Sequence, residues 1–232
     1  MALYKIAGLY VQMKLFGRSL EQAAPYKVSQ GEMDFEIAPD AQQMLNSNPG
    51  MKTLDVAQYM ATGAAFAREL YNHDGFQLHA SAVMLEGRAY LFSAPSGTGK
   101  STHTEKWVRL FGATYLNDDK PALRLTKDGW YVYGTPWSGK HDLSSNAEAP
   151  LGGVAFLQRG TENSIQRLDP AEAIPYFISQ LLRHIDAQQM DRQLSLLDKL
   201  LEKVPVYLLT CCNDDEAALV SRQAMEVKDG NN

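Results

Sequence analysis

Cysteine is scarce: the 232 residues hold two, Cys211 and Cys212, and they are adjacent. A bridge between neighbours is strained, and two thiols do not make a disulfide scaffold, so a reducing, cytoplasmic setting is expected. Long apolar runs are also missing. The opening MALYKIAGLYVQMKLFG is broken by Lys5, Gln12 and Lys14, which predicts neither a signal peptide nor a membrane span. Charge of one sign is not in excess, with 22 Lys and Arg against 27 Asp and Glu and a formal net charge of -5. That balance points away from nucleic acid or an anionic membrane surface as the main partner. Internal repeats and low-complexity linkers are lacking too. What remains, 45% hydrophobic and 21% charged, is the composition of a soluble globular protein with a real core.

Against that background one stretch stands out, Ser93 to Thr102, reading SAPSGTGKST. Its spacing is that of a P-loop with Ala94 in place of the first Gly. Gly97 and Gly99 can take positive φ and lack a Cβ, so backbone N–H groups can turn inward around phosphate oxygens. Lys100 brings charge to the β- and γ-phosphates, and the Ser101 hydroxyl can ligand Mg²⁺. Ser96, Gly97, Thr98, Gly99, Lys100, Ser101 and Thr102 are therefore the candidate nucleotide-binding residues. A Gly/Ser turn that happens to end in Lys-Ser would read the same way. The flanks favour the P-loop, because Ala89 to Phe92 reads as a short buried strand and Thr102 to Phe111 as a helix.

Elsewhere, Tyr4 to Phe16 alternates loosely and is expected as a strand, with short strands at Pro25 to Val28 and Met33 to Ile37. Ala38 to Gly50 reads as an irregular connection. Asp55, with Gln58 as capping-box partner, predicts the start of a helix burying Val56, Met60, Ala64, Ala67 and Tyr71. Phe76 to Leu85 is a strand joined to the P-loop strand by the tight turn Glu86-Gly87-Arg88. Ala113 to Leu116 is a short strand, and Lys127-Asp128-Gly129 joins a hairpin of Ala122 to Thr126 and Trp130 to Tyr133. Gly134 to Pro150 is a long connection, Leu151 to Gln158 a buried strand and Ser164 to Leu168 a further segment. Asp169-Pro170 with Glu172 starts a helix running to about His184, and a second covers about Gln188 to Lys203. Val206 to Thr210 is a last strand, Asn213 and Glu216 cap a final helix, and the tail from Lys228 reads as disordered.

Asp118 and Asp119 follow the strand after the P-loop helix. In a P-loop protein an acid at a neighbouring strand end faces Mg²⁺ and the γ-phosphate. One carboxylate suffices for the metal, and a second can take a proton from an incoming hydroxyl. A solvated Asp-Asp turn is the plainer alternative. His79 lies in the strand paired with the P-loop strand, and spacing alone does not select it over a core histidine. Lys140, His141 and the strand-end Arg159 are cations that could balance transferring phosphoryl charge, and each reads equally as a surface charge. No Asn-Lys-x-Asp motif and no ABC-type signature is present, and the apolar run before Asp118 is short for a Walker B strand, which argues against a simple NTPase switch.

LHASAVMLEGRAYLFSAPSGTGKSTHTEKW, LNDDKPAL, YGTPWSGKH and APLGGVAFLQRG together resemble the HPr serine kinase family, in particular its short HPr-kinase-like relatives. That family shares its nucleotide core with the ATP-dependent phosphoenolpyruvate carboxykinases. The resemblance covers about Gln77 to Gly160 and implies an α/β fold, a mixed β-sheet P-loop kinase core with flanking helices. It implies residues 1–75 as a lobe or sheet extension, 76–228 as the core with C-terminal helices and 229–232 as tail. It makes His79 a residue close to the phosphates, Asp118 the base toward the acceptor hydroxyl, Asp119 with Ser101 the Mg²⁺ ligands, and Arg159 a γ-phosphate contact. The implied function is an ATP-dependent kinase acting on a hydroxyl of a protein, peptide or small molecule, with a homo-oligomer as one arrangement. The alternative is a nucleotide-gated binding protein with little turnover. The acid that commonly follows the family's Lys-Ser is Thr102 here, and the Arg-Gly-Leu-Gly signature has no match, so the likeness leaves HPr as substrate and phosphorolysis open.

Overall fold

The computed structural model describes residues 1–181, 186–212 and 214–226. The expected helix end at His184, the cap at Asn213 and the tail from Lys228 lie outside the described residues. The chain opens with β1 (Ala2–Ile6) and β2 (Leu9–Met13), an antiparallel pair where one strand was expected. Ala7 and Gly8 turn the chain with φ of 52° and 77°, the positive pair that suits a two-residue hairpin. After α1 (Gly17–Ala23), β3 (Lys27–Val28) pairs with β1, and β4 (Phe35–Ile37) runs parallel to β2, giving the order β3-β1-β2-β4.

Residues 38–50 are not irregular throughout, because Asp40 accepts from the Gln43 N–H and caps α2 (Ala41–Ser47). In α3 (Leu54–Glu69) the cap is Thr53, whose Oγ accepts from the Val56 N–H. Asp55 and Gln58 look elsewhere: Asp55 takes the Arg18 N–H and Gln58 the Phe16 N–H. The expected face is met in part. Ala67 and Tyr71 are buried as expected and Phe66, Ala57 and Ala61 also enter the core, whereas Val56 and Met60 are exposed. Phe66 joins Tyr4, Ile6, Val11, Met13 and Trp137 in the core of the first sheet.

A second, mixed sheet follows. The expected strand 76–85 breaks at Leu78-His79 into β5 (Gly75–Gln77) and β6 (Ala80–Leu85). β6 forms the expected hairpin with β7 (Arg88–Ser93) across Glu86 and Gly87, which have φ of 51° and 75°. Next come α4 (Lys100–Phe111), β8 (Thr114–Asn117), the hairpin β9 (Ala122–Thr126) and β10 (Gly129–Tyr133), and β11 (Glu148–Arg159), which begins three residues earlier than expected. They are followed by β12 (Ser164–Arg167), α5 (Pro170–Gln180), α6 (Ala187–Leu201), β13 (Val206–Cys211) and α7 (Glu216–Met225). The order is β5-β9-β10-β11-β7-β6-β8, with β13 parallel to β11 and antiparallel to β12. β7 and β11 are parallel while β6 and β7 are antiparallel, so the fold is mixed α/β. No helix among the described residues is long and apolar enough to cross a membrane.

Both faces of this sheet are covered, as the pleat of β7 shows. Ala89 and Leu91 pack in the core with Phe177 of α5 and Leu196, Leu197 and Leu200 of α6. Tyr90 and Phe92 point the other way, toward Trp107 of α4 and Ala218 and Met225 of α7. His103 sits in that second core. Ser221 donates its hydroxyl to the Ala218 carbonyl and accepts from Trp107 Nε1–H, so His103 Nε2 carries the proton that meets Ser221 Oγ at 3.0 Å. Burial pushes the His103 pKa down to about 3. The unfolded chain therefore binds the extra proton first, and this contribution to stability, complete above about pH 6.5, is lost as pH falls toward 3. Thermal unfolding between pH 7 and 4 is expected to show that slope, and His103→Gln to flatten it. An unchanged slope would sink the assignment.

Candidate functional site

β7 leads directly into the phosphate-type loop. Gly97 and Gly99 have φ of 79° and 122°, and an added Cβ at either would meet nothing within 4 Å. Glycine is needed there for the backbone angle, since nothing crowds it. Gly99 is the N-cap of α4 and no side chain caps the helix, so its first N–H groups are free for an anion. Ser96, Gly97, Ser101 and Thr102 are exposed, and Thr98 and Gly99 half-buried. Ser81 of β6 donates to Thr104 of α4, which donates to the Lys100 and Ser101 carbonyls and ties the helix to the sheet.

Lys100 is buried. Its Nζ lies across its own loop, 2.7 Å from the Ala94 carbonyl oxygen and 3.5 Å from that of Pro95. Burial lowers its pKa; Asp119 opposes that shift and Lys120 adds to it. Lys100, Asp119 and Lys120 thus sit close enough to feel one another's charge.

The acidic side is built on Asn117, a fully buried residue at the end of β8. Its Oδ1 accepts from the Asp119 and Lys120 N–H groups at 2.8 and 2.6 Å, and its Nδ2 donates to the Thr135 and Trp137 carbonyls. One side chain fixes both the Asp-Asp turn and the loop 134–147. Sequence reading passed over Asn117, although an Asn just before a polar turn is an Asx-turn signal. Asp118 is 6% exposed and accepts from the Gly139 N–H. A Cβ on Gly139 would come within 2.9 Å of Asp118 Oδ2, so a larger residue there would push the carboxylate from this position. Burial pushes the Asp118 carboxyl pKa up; the Gly139 hydrogen bond opposes this and the Asp119 charge adds to it.

Asp119 points toward His79. Its Oδ1 lies 3.3 Å from His79 Nε2 and its Oδ2 3.8 Å from Lys120 Nζ. On the other side of the ring, Nδ1 is 2.9 Å from Gln180 Oε1 at the end of α5. Gln180 gives its amide N–H to Ser179 Oγ and its backbone carbonyl to the His79 N–H. Oε1 is therefore the acceptor, and Nδ1 carries the ring proton. Burial, then the Lys100 charge, lower the His79 pKa despite Asp119. A neutral ring places the Nε2 lone pair against a carboxylate oxygen, an arrangement completed by a shared proton or a cation.

The structure thus brings His79, Lys100, Asp119 and Lys120 together, with Asp118 adjoining. Arg159 stands apart from this group. Its Nη2 donates to the Gly97 carbonyl at 2.6 Å, and it borders another cavity of about 450 Å³ with Thr98, Thr102, Lys106, Cys211 and Cys212. Lys140 and His141 are exposed on the loop that holds Asp118. That loop is held in turn by the N-terminal region. Tyr59 donates to the Ser138 carbonyl, Trp137 Nε1 donates to Thr62, and Arg18 pairs with Asp142.

No protein-family model matches the chain, and no curated protein matches it. Among solved structures, the Hpr(Ser) kinase/phosphatase from Coxiella burnetii is similar over 66% of this chain and 99% of its own length, at 12% identity and a TM-score of 0.38. A likeness of that size bears on neither residues nor reaction.

Proposed function

We propose that the protein is an ATP-dependent kinase that transfers the γ-phosphate to an alcohol hydroxyl. The observation that carries this reading is the meeting of Lys100, behind an uncapped helix N-terminus, with the His79–Asp119 pair and the buried Asp118. Lys100 would leave the Ala94 and Pro95 carbonyls for phosphate oxygens, which outbid neutral carbonyls for a cation. His79, held by Gln180 through Nδ1, presents Nε2 to Asp119 and so fixes that carboxylate beside Lys100. Asp118, whose burial raises its proton affinity, takes the acceptor proton.

Among the described residues no group of three or more His, Cys, Asp or Glu could cage a metal. The exposed Ser101 hydroxyl and the Asp119 carboxylate nevertheless supply the oxygen donors that suit Mg²⁺, which keeps several waters and shares substrate phosphates. They would hold it, and when bound it would neutralise charge on the β- and γ-oxygens.

A second reading, a nucleotide-gated binding protein, draws on the same geometry. Lys100 is tied to its own loop and Asp118 to Gly139, so nucleotide would have to rearrange both. Incubation with γ-labelled ATP, Mg²⁺ and a panel of alcohols separates the two. Acceptor-dependent label transfer with release of ADP is expected. Nucleotide binding without transfer to any acceptor favours gating, and no binding at millimolar ATP rejects both.

A further inference from the structure

A cavity of about 420 Å³ adjoins the His79–Asp119 pair, between α3 and the mixed sheet. Its size is that of a small-molecule site, about 300–1,000 Å³. α3 makes one wall with Gly63, Ala64 and Ala67, residues too small to fill the space themselves. Gly63 has no alternative, since a Cβ would stand 2.9 Å from Trp137 Cδ1. Trp137 closes a second side. Its ring stacks on Phe66 at 4.7 Å, and its only polar atom is spent on Thr62. Leu78 and Leu181 add apolar surface, and Met60 stands 43% exposed at the wall.

The polar lining is His79, Lys120 and Gln180, with Tyr59, Gln77 and Ser179, whose donors are spent on the Ser138, Lys120 and Tyr176 carbonyls. Asp119 contacts the first two and Gln180 grips His79, so these groups form one hydrogen-bonded and ion-paired unit continuous with the candidate site.

We propose that this cavity seats the apolar body of the acceptor, an aliphatic or small aromatic group carried close to the hydroxyl that is phosphorylated. The inference rests on the phosphotransfer reading and names its substrate class. The acceptor oxygen bonds to the γ-phosphorus, the β–γ bridging P–O bond breaks, ADP leaves with that electron pair, and the hydroxyl proton passes to the Asp118 carboxylate. A polyol would leave its further hydroxyls unpaired against Ala64, Leu78 and Trp137, which disfavours it. The apolar group has two sources, a free alcohol or the side chain beside a serine in a peptide.

The test compares both sources by two readouts on the full chain. Free alcohols are 2-phenylethanol and hexan-1-ol against glycerol; peptides carry Leu or Phe against Gly beside a single Ser. Binding is read by saturation-transfer NMR with ADP present, and transfer by label from γ-labelled ATP. Ala64→Leu fills the cavity from α3, and Met60→Trp fills it from an exposed position that tolerates bulk. At least about tenfold preference for the apolar probes is expected in one arm, which identifies the source, and a loss of about tenfold or more in both variants with ADP affinity unchanged. Equal use of glycerol or Gly peptides, or variants that behave as wild type, overturns the proposal. Apolar probes that bind, are displaced by both substitutions, and receive no label overturn the acceptor role, and the phosphotransfer reading falls with it when no other alcohol is labelled either. A failed preference with label still reaching other alcohols overturns the cavity assignment alone.

Discussion

Lys100→Ala is expected to lower phosphoryl transfer by about 10²–10³-fold, the loss that follows removal of one preorganised charge from a developing anion. Its ammonium is buried within the loop, where each remaining interaction is less screened than at the surface. Nucleotide affinity should fall as well, because the same charge meets the ground-state phosphates. Stability should change little. The substitution removes the hydrogen bonds to the Ala94 and Pro95 carbonyls, and it also removes a charge whose burial is unfavourable, as the lowered pKa shows. Lys100→Arg should not restore the rate, since a planar fork does not fit where a compact ammonium lies. Turnover, ADP affinity and Tm measured on the same preparations check all three expectations. Transfer within threefold of wild type in Lys100→Ala would reject the assignment.

The parts of this site legible in the sequence are those whose partners are close along the chain. Ser93 to Thr102 carries its loop, its helix start and its glycine angles within ten residues, and the Glu86-Gly87 turn announces the β6–β7 hairpin. Asp118 and Asp119 are visible as a pair for the same reason. What makes them a site is remote. Gln180 lies 101 residues from the ring it orients, and Gly139 lies 21 from the carboxylate it approaches. No local pattern encodes such contacts, so His79 is indistinguishable from a core histidine until α5 is in place. Arg159 shows the converse: a cation at a strand end is easy to notice, but only the pairing of β11 with β7 and β13 sets which side of the loop it serves. Helix faces were legible only in part for the same reason. On α3 the apolar Met60 stays exposed while Gly63 and Thr62 are buried against Trp137, because the helix must leave room for an indole and a cavity as well as fill a core.

Asp118→Asn separates the chemistry from the fold most sharply. Asn keeps an oxygen to accept from the Gly139 N–H and is the same size, so the turn built on Asn117 should survive. Proton acceptance is lost, and transfer should fall by about 10²–10⁴-fold, the range for a missing general base. Stability is expected to move the other way. Burial raises the folded-state pKa of Asp118 above its unfolded value, so the folded protein binds this proton more tightly. The associated stability is complete below the unfolded pKa and is lost as pH rises through the folded one. At neutral pH the ionised carboxylate is therefore a burden that Asn removes, and Tm should hold or rise. That advantage should shrink as pH falls and the wild-type Asp118 takes up its proton. The same shift predicts that wild-type transfer loses rate on the acid side at a higher pH than a free carboxylate would impose, a limb that Asp118→Asn should lack. A variant that is inactive and also markedly less stable would mark Asp118 as a structural acid instead, and an active one would move the base elsewhere in the site.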